Sequence, residues 1–249
     1  MHGVVNGYVY VNGVAIPTLD ARPGPASIRR MDDARVAPVA GQLLNRRWVY
    51  RTLREVYLEP GGVVANRFVH RRGRRDWRRV WQREHAALER LSGLPVPRSL
   101  GYGMHNGGEG REIILRKEYL AGEPVAAVGE REAVDMARLL AAIHERGVVT
   151  GDPSRENFLR RPDGTLAFID FGRARTFWFR SPYFHFYVGK ELFCFQRTVL
   201  GAREDLWLAA LQAYRARHAI SSPFDFLRML SFRYWLWRKR NTPVNPPAC

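Results

Sequence analysis

The chain has 249 residues, 46% of them hydrophobic, with two cysteines and a formal net charge of +16 at pH 7. That content is enough to bury one large domain or two units around a cleft, and it excludes a disordered chain. No apolar run approaches the roughly 18 residues of a transmembrane helix, and no basic segment followed by a long apolar one opens the sequence, so a cytoplasmic location is expected. Cys194 and Cys249 have neither metal-ligand spacing nor the numbers for a disulfide framework. The positive charge implies attraction to polyanions such as nucleic acid, anionic lipid or a phosphorylated glycan. The only lysines are Lys117, Lys190 and Lys239, so the charge is carried by arginine, which suits bidentate phosphate contacts.

Residues 1–19 alternate Val, Tyr and Ile around Asn6-Gly7 and Asn12-Gly13, which predicts a small hairpin at the edge of the first sheet. Residues 20–40, rich in Pro, Ala, Arg and Gly, read as a linker, so 1–40 is taken as a unit without chemistry. Three strand-like runs follow, Arg47 to Thr52, Leu53 to Leu58 and Val63 to Val69, the last two joined by Glu59-Pro60-Gly61-Gly62 as a meander. Asp76 to Leu91 has helical periodicity, with Trp77, Val80, Trp81, Ala87, Leu88 and Leu91 on one stripe. Glu84 lies on that stripe, and a carboxylate there requires a partner. After Gly93-Leu94-Pro95-Val96-Pro97 the chain returns toward the sheet, and Ile113 to Leu115 reads as a buried strand. Glu132 to Glu145 predicts a second amphipathic helix, in which His144 is expected to be a packed helix-end residue rather than a catalyst.

The most informative stretch is 150–172. Asp152 and Asn157 stand five positions apart in a loop opened by Gly151-Asp152-Pro153, and Asp170 follows Asn157 by thirteen. Between them Phe158-Leu159 and Leu166 to Ile169 flank a turn at Pro162-Asp163-Gly164, so a tight hairpin is expected to return Asp170 to the side of Asn157. Two carboxylates and an amide would then converge, as a metal-bound phosphate requires.

This Asp-x4-Asn followed by Asp-Phe-Gly resembles the catalytic and metal-binding loops of the protein-kinase-like superfamily. The resemblance implies an α+β, two-lobed protein-kinase-like fold, with a small N-terminal antiparallel sheet plus one helix (41–117) and a larger, mainly helical C-terminal lobe (118–249). It also implies ATP and magnesium as cofactors, Asp152 as the residue that positions the acceptor hydroxyl and takes its proton, and Asn157 and Asp170 as magnesium ligands. In that family a glycine-rich loop covers the phosphates, but its place here holds Arg46, Arg47 and Arg51 without glycine. The family's strand lysine is also missing. Aligning Val64 to Arg67 puts Arg67 there and keeps a cation, whereas an alignment on the preceding apolar residues puts Asn66 there; strand alternation sends the two to opposite faces. The resemblance pairs the strand cation with Glu84 and places adenine against the backbone of Glu118, Tyr119 and Leu120 in the connector. Thr150 stands where relatives carry an architectural histidine.

After Gly172 no Ala-Pro-Glu motif or long activation segment follows, which argues against a phosphorylation-regulated protein kinase. The order of features is most similar to bacterial kinases of lipopolysaccharide core sugars, of the Kdo kinase and heptose kinase type: Asn45-Arg46-Arg47 leading into Gly61-Gly62, Arg83 to Leu91 before Pro95-Val96-Pro97, and a short helical C-terminal region. That resemblance implies ATP-dependent phosphorylation of a sugar hydroxyl in an anionic glycolipid, with a peripheral location on the cytoplasmic face of the inner membrane. The last helix ends in Phe232-Arg233-Tyr234-Trp235-Leu236-Trp237-Arg238-Lys239-Arg240, whose mixed aromatic and basic residues fit a membrane surface or stacking on nucleic acid. Aminoglycoside and choline kinases share the core motifs, but their cationic substrates disagree with the charge. Two alternatives remain: a pseudokinase that binds nucleotide or a partner, motivated by the missing lysine and glycine loop, and an atypical kinase associated with nucleic acid or protein.

Overall fold

The computed structural model describes residues 8–11, 14–17, 39–49, 52–71, 80–107, 110–201, 203–218 and 222–241. The linker expected at 20–40, the first turn of the helix expected from Asp76, and Cys249 therefore fall outside the described residues, Val39 and Ala40 excepted. The protein is α+β, with a five-stranded antiparallel sheet and five α-helices among the described residues. The chain divides into two compact units, residues 1–77 with 99–119 and residues 78–98 with 120–249.

In the first unit β1 (Tyr8–Val11) and β2 (Val14–Pro17) pair as an antiparallel hairpin. They form a two-stranded sheet of their own rather than an edge of the larger one. The larger sheet has the order β3 (Gln42–Val49), β4 (Thr52–Glu59), β5 (Val63–Arg71), β7 (Gly110–Glu118), β6 (Ser99–Gly107). The expected meander is therefore present, but Thr52 opens β4 instead of ending the strand before it. Register places Arg67 opposite Glu55 on β4, and Asn66 opposite Leu115 on β7. Asn66, Phe68, Ile113 and Leu115 are buried on one face, while Arg67 shares the other with Glu55 and Glu112.

The second unit contains α1 (Val80–Arg90), β8 (Glu123–Pro124), α2 (Glu130–Glu145), β9 (Val148–Val149), β10 (Phe158–Arg160), β11 (Leu166–Phe168), β12 (Arg175–Thr176), α3 (Pro182–Cys194), α4 (Glu204–Arg217) and α5 (Ser222–Asn241). Helix α2 is rich in Ala, Leu, Glu and Arg, which lose little freedom in a helix. Glu130 and Glu132 sit at its positive end, and Glu132 Oε2 accepts the Gly129 N–H at 3.2 Å. Its inner stripe, Met136, Ala137, Leu140 and Ile143, joins the main core with Phe158, Phe168 and Phe171. Ala87, Leu88 and Leu91 belong to that same core. Their burial there is why α1 clusters with the second unit, whereas the resemblance grouped this helix with the sheet. Ser181 caps α3 by accepting the Phe184 N–H at 3.2 Å, with Pro182 in the first turn where its missing N–H costs nothing.

Candidate functional site

The site is built in the second unit on the loop after β9. Gly151 has φ +77°, and a Cβ there would lie 2.6 Å from the Arg173 carbonyl oxygen, so both the backbone turn and the close approach demand glycine. Asp152 follows, a third exposed, and Pro153 is buried beneath it. One 3-10 turn, Arg155–Asn157, then carries the chain to Asn157, whose Nδ2 donates to the Asp152 carbonyl oxygen at 2.9 Å. That bond ties the Asn157 side chain to the backbone of the loop and uses one of its amide hydrogens.

The expected hairpin forms. β10 and β11 pair with Phe158 opposite Phe168 and Arg160 opposite Leu166, and the Ile169 N–H continues the ladder to the Asn157 carbonyl at 3.0 Å. Asp170 therefore emerges one residue beyond Asn157's backbone partner. Its Oδ1 accepts the Gly172 N–H at 2.9 Å, while Phe171 is fully buried against Phe168 with ring centroids 5.1 Å apart. The buried ring anchors the tripeptide and the hydrogen bond sets the carboxylate.

Burial raises Asp152 above the ordinary carboxylate range; the charges of Asp170, Glu191 and Glu156 add to the rise, and Arg173 opposes it. Arg173 Nη1 stands 3.4 Å from Asp152 Oδ2. A carboxylate whose proton affinity is raised by partial burial and acidic neighbours is suited to accepting a proton from a hydroxyl.

Beneath the loop lies a residue that the motif did not point to. Glu191, the single carboxylate of α3, is buried and accepts the Thr150 N–H at 2.9 Å and the Thr150 hydroxyl. Thr150 Oγ1 in turn accepts the Asp152 N–H at 3.4 Å. On its other side Glu191 meets His144 Nε2 at 3.2 Å, and His144 Nδ1 lies 2.7 Å from the Tyr214 hydroxyl. His144 is fully buried, as a packed helix-end residue would be. His185 and His218, buried nearby, are pushed down to about 4 and about 3, mainly by desolvation and then by neighbouring cations, so both are neutral at pH 7. The signal for Glu191 in the sequence is a lone acid in a mostly aromatic and aliphatic helix, which must find donors when buried.

The nucleotide-clamping candidates fare differently. In the first unit Arg67 donates from Nε and Nη2 to Glu112 at 3.0 and 2.6 Å, and from Nη1 to Glu55 at 2.7 Å. The Glu112 bonds, above all, raise its already high pKa. Arg67 thus makes two pairs within its own sheet, because Glu55 is directly across the strand and Glu112 is on the same face. Glu84 is fully buried on α1. In the connector, Glu118 is exposed and ends β7, and the Tyr119 N–H donates to the Gly62 carbonyl at 2.8 Å, closing the sheet. Leu120 packs with Leu159 and Ala167 in the second unit. The structure therefore brings together Asp152, Asn157 and Asp170, and it holds Arg67 in an ion-pair network of its own.

Among the described residues no three His, Cys, Asp or Glu side chains gather as a protein-only metal cage. An amide oxygen and one carboxylate fit an ion that keeps waters and takes phosphate oxygens as further ligands, which is how magnesium is usually held. The sequence matches no protein-family model and no curated protein.

Proposed function

We propose that this chain is a magnesium-ATP-dependent phosphotransferase with a kinase-like two-lobed arrangement, acting on a hydroxyl of a sugar in a lipopolysaccharide core or similar anionic glycolipid. The observation that carries the reading is the convergence of Asp152, Asn157 and Asp170 on one hairpin and its preceding loop, with Asp152 raised in proton affinity. In this reading Asp152 orients the acceptor hydroxyl and takes its proton, while Asn157 Oδ1 and the Asp170 carboxylate would hold magnesium. The ion supplies charge stabilisation for the transferring phosphoryl group. Arg173, a cation beside Asp152, is placed to offset the carboxylates around the acceptor. Glu191 holds the loop from below, so the contribution of the fold is positioning. The glycolipid acceptor is supported by the net charge of +16, which favours an anionic substrate.

The test is magnesium-dependent ATP consumption measured against deacylated lipopolysaccharide fragments, proteins and RNA. Asp152→Ala should abolish turnover with ATP binding kept, and Asp170→Ala should lose magnesium-nucleotide binding; turnover that survives both substitutions overturns the assignment. A second reading, a pseudokinase that binds nucleotide or a partner without transfer, is favoured by one observation: Arg67, the candidate replacement for the strand lysine, is committed to Glu55 and Glu112. Magnesium-ATP binding with no consumption against any of the three acceptor classes selects it.

A further inference from the structure

Helix α5 has 20 residues, about 30 Å of length at 1.5 Å per residue. One side of it is fixed to the second unit: Ser231 Oγ donates to the Phe186 carbonyl at 2.9 Å, Phe232 stacks on Trp207 with centroids 5.4 Å apart, and Gly189 of α3 lets Arg228 and Ser231 approach closely. At about 100° per residue, Met229, Phe226, Trp237, Leu230 and Tyr234 share the opposite arc. All five are exposed, Trp237 by 61%. Exposed Arg233 and Arg240 fall within the same arc and exposed Arg238 at its margin, and no Asp or Glu occurs from Phe226 to Asn241.

We propose that this outer face of α5 docks on an anionic lipid surface, with the helix lying in the plane of the interface. An exposed face on which rings and aliphatic chains are interspersed with cations suits an interfacial position: the apolar groups enter the acyl boundary and the guanidinium groups on their long stems reach the lipid phosphates. No helix among the described residues is long and apolar enough to cross a membrane, and arginines in the middle of the arc suit an in-plane position. Charge decides between occupants. A second copy would set Arg233 and Arg240 against their like, and nucleic acid would gain nothing by stacking from Met229 and Leu230, which have no aromatic face. The proposal stands apart from phosphoryl transfer, because docking needs neither nucleotide nor acceptor.

The experiment is sedimentation of the full chain with vesicles of phosphatidylglycerol and phosphatidylcholine, against vesicles of phosphatidylcholine alone, without ATP. The chain should partition onto the anionic vesicles, with a blue shift in tryptophan emission. Phe226→Ser with Leu230→Ser and Trp237→Ser should weaken that partition at least about tenfold, a factor worth only ~1.4 kcal/mol. Arg238→Glu with Arg240→Glu, on exposed positions that leave the apolar arc intact, should remove the preference for phosphatidylglycerol and serves where the triple variant fails to fold. Absence of wild-type binding to the anionic vesicles overturns the proposal, as does equal binding by both variants. So does displacement from vesicles by RNA that loses affinity in the same variants, or a chain dimer that the triple variant abolishes in the absence of lipid.

Discussion

Replacing Arg67 by Met separates the two possible duties of that residue. The guanidinium is a quarter exposed, but its partners are not: the Glu55 side chain is 5% and the Glu112 side chain 11% accessible. Removing one member of a buried ion pair costs about 3–5 kcal/mol, because the remaining charge has lost both its water and its partner. Here Glu55 keeps the Tyr57 hydroxyl at 2.9 Å and Arg46 at 3.2 Å, so most of the uncompensated charge falls on Glu112. The loss should lie at the low end, about 3 kcal/mol at pH 7. Denaturant unfolding of wild type, Arg67→Met, Glu112→Gln and the double variant measures this, and the double variant should regain much of the loss, because removing both partners leaves no charge unpaired. ATP affinity, followed in the same proteins, should change by less than about threefold, well under the ~1.4 kcal/mol that a tenfold change represents. Unchanged stability with ATP affinity lowered tenfold or more would refute this reasoning and return Arg67 to the phosphates.

Three further outcomes concern the loop. Arg173→Ala removes the cation that lowers the Asp152 pKa, so the acid limb of the kcat/KM profile should move to higher pH; a profile that does not move would show that Arg173 has no electrostatic role at Asp152. Gly151→Ala forces a side chain into a left-handed position and against the Arg173 carbonyl, at a cost of roughly 1–3 kcal/mol, and turnover should fall more than ATP affinity. Glu191→Gln keeps the volume but halves the acceptor capacity facing Thr150 and His144, so kcat should drop about tenfold with little change in KM for ATP, since a bond to a charged group is worth ~1.5–3 kcal/mol. A KM effect without a kcat effect would show that Glu191 does not act through Asp152.

Much of the candidate site was legible because its geometry is local. The turn at Pro162-Asp163-Gly164 and the apolar runs on either side of it set the register of β10 and β11, and that register alone carries Asp170 back to Asn157. The five-residue interval from Asp152 to Asn157 spans one loop and one helical turn, so residue type and spacing suffice. Alternation likewise put Asn66 and Arg67 on opposite faces before any packing was known.

The partners across long separations were decided only by the tertiary structure. Glu112 is 45 residues from Arg67 and Glu191 is 41 from Thr150, and nothing in either neighbourhood names the other. Helix α1 shows the same limit: its periodicity fixed which face is apolar, but not which core would bury Ala87, Leu88 and Leu91. A periodic pattern states that a face must be covered, whereas the covering element depends on the summed packing of the whole chain. The sequence by itself determined the spacing of Asp152, Asn157 and Asp170 and the hairpin that returns Asp170 to Asn157. Tertiary packing decided that Arg67 is tied down by two glutamates and that a buried glutamate supports the loop, because burying any of these charges requires a partner that only distant strands and helices supply.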